Sequence, residues 1–143
     1  MTTTRSALTP SSAPPRAFEL LGRADSLLSE AACVRDAESA ERFRLAYLAA
    51  LRGAAAVLAA RPCKQNRRKG SGSAWALLMG VAPELSTWAA FFADHSARRI
   101  AIEAGVTGRV TSVEADQLLR EAERFLDVVE DVIEAKPGMA QAG

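Results

Sequence analysis

His95 is the single histidine of the chain. Its ordinary pKa lies near neutrality, so a search for proton-transfer chemistry starts there. Helical spacing puts it on the side of Trp88, Phe91, Phe92 and Ile102, with Arg98 and Arg99 one turn away. A histidine and arginines so placed can remove a ribose 2′-hydroxyl proton and stabilise a pentavalent phosphate, the chemistry of metal-independent RNA cleavage. Against that stands the plainer reading of a lone histidine near a helix end, which more often packs or faces solvent. Asp94 does little to orient the imidazole, since adjacent helical residues point about 100° apart.

A second cluster is basic. Arg61, Lys64, Arg67, Arg68 and Lys69 crowd into RPCKQNRRKGSGS, a candidate nucleic-acid-binding segment by charge. No aromatic ring interrupts the run, so phosphate attraction is indicated and base stacking is not. The competing reading is a solvated loop facing the acidic final segment, where eight carboxylates from Glu114 to Glu134 outnumber Arg120, Arg124 and Lys136. Those carboxylates alternate with arginines, as in Asp116 with Arg120 and Glu121 with Arg124, the pattern of an exposed helix face rather than of a metal or acid-base pair.

Other chemistries lack their residues. The sequence holds no Glu-x-x-His pair, no glycine-rich phosphate loop after a strand, no GxSxG and no HExxH. Cys33 and Cys63 stand thirty positions apart without a CxxC, which excludes a zinc ribbon or redox pair. No metal and no cofactor are expected. Eighteen basic against seventeen acidic residues give a net charge of +1, so no global field draws the chain to nucleic acid or membrane. The Ser, Thr and Pro of MTTTRSALTPSSAPPR lack the apolar run of a secretory signal, and a reducing cytoplasm is the expected compartment. The longest apolar stretch is alanine-rich and interrupted by Arg52. A spanning helix needs about 20 apolar residues and loses roughly 2.5–3.5 kcal/mol to a central arginine, so a buried helix is expected and no membrane.

The elements that position these groups are all helical. The 143 residues suffice for one core. Residues 1–16 are expected to form a disordered Ser/Thr/Pro-rich tail, 17–135 one helical domain with a flexible basic linker at 61–73, and 136–143 a second disordered tail. Phe18, Leu20, Leu21, Ala24, Leu27, Leu28 and Ala31 mark a first amphipathic helix. A long second helix over about 40–61 carries a stripe of Leu48, Leu51, Ala55 and Leu58, widened by Phe43, Tyr47, Ala50, Ala54 and Val57. Ser73 is an N-cap for a short helix, and Pro83 opens a fourth helix that runs on to a glycine stop at Gly105. Thr111 and Glu114 have the form of a capping box before the last helix. No segment alternates like a strand. The fold class is all-α, an antiparallel bundle of four to five helices.

AERFRLAYLAALRGAAAVLAAR, the basic gap, SAWALLMGVAPELSTWAAFFADHSARR and SVEADQLLREAERFLDVVE together resemble a small bacterial branch of the HEPN superfamily, over about residues 17–132. The resemblance implies a helical bundle, often dimeric, acting as a metal-independent ribonuclease in toxin-antitoxin, antiphage or RNA-processing systems, or as a non-catalytic partner of a nucleotidyltransferase. The superfamily's catalytic mark is an arginine followed a few residues later by histidine. Here Arg42 is followed by Phe43, Arg44, Leu45 and Ala46, and Tyr47 fills the histidine slot; Trp88, Ala89 and Ala90 stand where His95 would need its arginine. Tyrosine, with an ordinary pKa of about 10, is a poor general base at neutral pH. The reading is a degenerate, non-catalytic HEPN-like interaction module, with a second copy, a nucleotidyltransferase or antitoxin protein, or RNA as candidate partners. The alternatives are an atypical metal-independent endoribonuclease using Arg42, Tyr47, His95, Arg98 and Arg99, and a purely structural bundle.

Overall fold

The computed structural model describes residues 13–61 and 73–135. Among these residues six α-helices and one 3-10 turn follow in order: α1 (Pro15–Cys33), α2 (Ser39–Ala60), α3 (Ala74–Val81), the turn Pro83–Leu85, α4 (Ser86–Ala93), α5 (Ser96–Glu103) and α6 (Ser112–Glu134). No strand occurs among the described residues, and the all-α bundle is the architecture found. The expected loop residues Lys64, Arg67, Arg68 and Lys69 lie outside the described residues, as do Cys63 and both chain ends.

Local chemistry sets most helix ends. α1 begins at Pro15, two residues before the expected Ala17, because proline at the first helical position gives up only an N–H that would be unpaired. Ser73 accepts from the Ala76 amide at 3.1 Å, and Thr111 and Glu114 form the reciprocal capping box. Gly105 has φ +98. Around it the Val106 and Gly105 amides bond the carbonyls of Ala101 and Ile102, both at 2.9 Å, the pairing that closes a helix on a left-handed residue.

The expected fourth helix is two helices. His95 donates from Nδ1 to the Phe91 carbonyl at 2.7 Å, and Ser96 Oγ donates to Ala93 at 2.8 Å. Side chains thus take carbonyls that a continuing helix would use, and the chain turns at Asp94–His95. The bend leaves Ile100 57% exposed rather than in the core, and Phe18 also lies exposed.

The short connection at residues 34–38 makes α1 and α2 an antiparallel hairpin, and α6 packs against both. α2 buries the face of Phe43, Ala46, Tyr47, Ala50, Gly53, Ala54 and Val57. The Leu48, Leu51, Ala55 and Leu58 stripe is its half-buried margin. Small residues permit the close approach: a Cβ on Gly53 would come within 2.5 Å of Leu126 Cδ2 on α6. Trp75, Phe92 and Phe125 fill the space between α3, α4 and α6, with centroids 5.2–6.0 Å apart.

Candidate functional site

Arg42 sits one turn into α2 on the buried face, its side chain 10% exposed. An arginine there must be paired and hydrogen-bonded to be tolerated. Its Nε donates to the Ala31 carbonyl at 3.1 Å and its Nη2 to the Val34 carbonyl. Nη1 is shared between Asp116 Oδ1 at 2.7 Å and Asp36 Oδ1 at 3.3 Å. One guanidinium therefore closes the C-terminal end of α1, where carbonyls run out of helical partners, and ties it to α2 and α6. The Asp116 hydrogen bond, reinforced by Asp36, holds its pKa above the ordinary arginine value against the cost of desolvation.

Tyr47, five residues on, is 1% exposed. Its hydroxyl accepts from Trp75 Nε1 at 2.8 Å, and the two rings meet edge to face. The Arg99 guanidinium carbon lies 5.1 Å from the Tyr47 centroid, a cation-π contact. Arg99 also pairs with Glu103 at 2.9 Å. Its Nε is buried without a hydrogen-bond partner among the described residues.

His95 and Arg98 share one hollow. They line it, about 280 Å³ in volume, with Phe43, Asp94, Glu114, Gln117 and Leu118. The Nδ1 bond to Phe91 requires a proton on that nitrogen, so in the neutral ring Nε2 is the acceptor. Phe91 and Phe43 flank the ring at 4.5 and 5.9 Å. Arg98 is ion-paired to Glu114 at 3.1 Å. The Thr111 backbone amide first, then Arg98 and the Thr111 hydroxyl, hold the Glu114 carboxyl below its ordinary range, against desolvation.

The five candidates thus fall into three settings. His95 and Arg98 share the hollow, Arg99 and Tyr47 touch each other, and Arg42 is turned toward the end of α1. Of the basic cluster, Arg61 pairs with Glu84 at 2.8 Å. Asp116 pairs with Arg42 rather than with Arg120 as the helix-face pattern suggests, whereas Glu121 and Arg124 do pair at 2.9 Å. Sequence reasoning missed Asp116 as the partner of Arg42, and Glu114 and Gln117 as walls of the His95 hollow. The available signal was Arg42 itself, an arginine among the apolar positions of its helix, which demands a carboxylate from elsewhere.

A larger hollow of about 700 Å³ opens beside Glu38, Glu41, Arg44 and Glu103. Arg44 is already taken by Glu41 at 2.7 Å. Among the described residues no group of three or more His, Cys, Asp or Glu gathers as a metal site.

The model of the SAV_6107-like HEPN family matches residues 31–130, a span that contains Arg42, Tyr47, His95, Arg98 and Arg99. No curated protein and no solved structure matches the chain. On the extent of that family match, from the end of α1 through most of α6, the chain belongs to the SAV_6107-like HEPN family.

Proposed function

We propose that this chain is a non-catalytic HEPN module that works by binding a protein partner, of the nucleotidyltransferase or antitoxin class that its superfamily resemblance implies. One observation carries the reading: Arg42, where the superfamily's arginine would stand, spends its guanidinium on Ala31, Val34, Asp36 and Asp116. Tyr47, in the histidine slot, is buried with its hydroxyl bonded to Trp75. A guanidinium that caps a helix and a phenol inside the core are not presented to a scissile phosphate.

The second reading, a metal-independent endoribonuclease, draws on the hollow at His95, where an imidazole nitrogen and Arg98 face one space. It needs His95 Nε2 to take the 2′-hydroxyl proton and Arg98 to leave Glu114 for the phosphate.

The test is RNA cleavage by the purified chain in excess chelator, run beside folded His95→Ala and Arg98→Gln variants. The expected result is no cleavage above a buffer control by any of the three. Cleavage by the parent chain that both variants abolish would overturn the non-catalytic reading.

A further inference from the structure

A pair of packed helices has two grooves. On the α1–α2 hairpin, α6 packs along one side. Two adjoining hollows, of about 570 and 340 Å³, are lined among the described residues by α1 and α2, with no α6 residue in either, and share Glu19, Arg23 and Arg52. Half-buried Leu27 and Leu48 form the apolar floor, and Gly22 leaves its wall low, with nothing within 4 Å of where a Cβ would stand. Arg16, Arg23 and Arg52 form the rim against one carboxylate, Glu19. All three arginines are exposed and none makes an ion pair with a described residue, as holds also for the scattered Arg35, Arg109 and Arg120, whereas Arg42, Arg44, Arg61, Arg98, Arg99 and Arg124 each do.

We infer that this groove docks an acidic amphipathic helix of a partner protein, with leucine-type residues on Leu27 and Leu48 and carboxylates on Arg16, Arg23 and Arg52. The inference rests on the binding-module reading and gives its partner a chemistry. An open trough between two helices has the shape for a third, read at i, i+3, i+4 and i+7. The rim charge selects the occupant. A second copy docking the same face would bring six arginines together against two glutamates, a repulsive pairing. RNA would meet the cations but find no ring to stack on and an aliphatic floor.

The experiment titrates the full-length chain into a fluorescein-labelled synthetic helix of Leu, Glu and Ala, with leucines at the spacing above, followed by anisotropy. The same peptide with every Glu replaced by Lys, and a single-stranded RNA, run beside it. The expected result is saturable binding of the Glu peptide alone, weakening as salt screens the rim. Arg23→Glu combined with Arg52→Glu lowers affinity by about tenfold or more, Leu48→Asp weakens it as well, and Arg109→Glu, an exposed control outside both hollows, leaves it unchanged. No binding, equal binding of the Lys peptide, preference for RNA, or indifference to the double substitution overturns the inference. The chelator assay separates the two failures: cleavage there removes the non-catalytic reading, while a silent groove without cleavage removes only this one.

Discussion

Replacing Arg42 by alanine removes four hydrogen bonds from one point of the fold, and the cost can be built from their settings. Asp36 is 94% exposed and recovers its hydration, so its share is near zero. Asp116, at 41% exposure, loses a 2.7 Å charge-assisted bond worth about 1 kcal/mol at a partly solvated site. The Ala31 and Val34 carbonyls lose a charged donor where α1 ends, at about 1 kcal/mol each. Arg42→Ala should therefore destabilise by about 3 kcal/mol, lowering the Tm by about 10 °C for a domain of this size. Arg42→Lys keeps a charge but not the fork and should recover less than half of that. Urea titration followed by circular dichroism reads both. Loss of less than about 0.5 kcal/mol in Arg42→Ala would refute the structural role of this guanidinium, and with it the reason for taking the residue out of catalysis.

Tyr47→Phe strands the buried Trp75 N–H and should cost about 1–3 kcal/mol in the same titration; a neutral result would mean the indole has another partner. Asp25 on α1 has its pKa raised above the ordinary 3.8 by desolvation and by Asp127 on α6. The folded state therefore binds this proton more tightly than the unfolded chain, and the penalty for ionising it appears as pH rises through the raised value. Asp25→Asn should accordingly stabilise by a few tenths of a kcal/mol at pH 7 for so exposed a group. That gain should vanish below about pH 3.8; urea midpoints at the two pH values check it, and a gain at low pH alone would reverse the sign.

The helix ends were legible because they depend on neighbours in sequence: Ser73, the Thr111 and Glu114 pair and Gly105 stand where their side-chain or backbone chemistry placed them. The buried face of α2 was legible in part, since Phe43, Tyr47, Ala50, Ala54 and Val57, read as widening its stripe, are all buried. Leucine bulk drew attention to Leu48, Leu51, Ala55 and Leu58, yet the tightest packing falls on alanines and Gly53, where smallness lets α6 come close. The break at His95 was hidden because it comes from side chains competing for carbonyls inside an otherwise helical pattern. At the site, the partner of Arg42 lies 74 residues away. Local pairing rules assign Asp116 to Arg120, and only the docking of α6 on α2 brings it to Arg42 instead.

The most direct measurement of whether Arg42 serves the fold is nitrogen-detected or proton-nitrogen NMR of the arginine side chains. The expected result is a resolved, slowly exchanging Arg42 Nε–H signal, unmoved when single-stranded RNA is added. A rapidly exchanging Arg42 signal that shifts and becomes protected on RNA addition would contradict it, and would return that guanidinium to the phosphate.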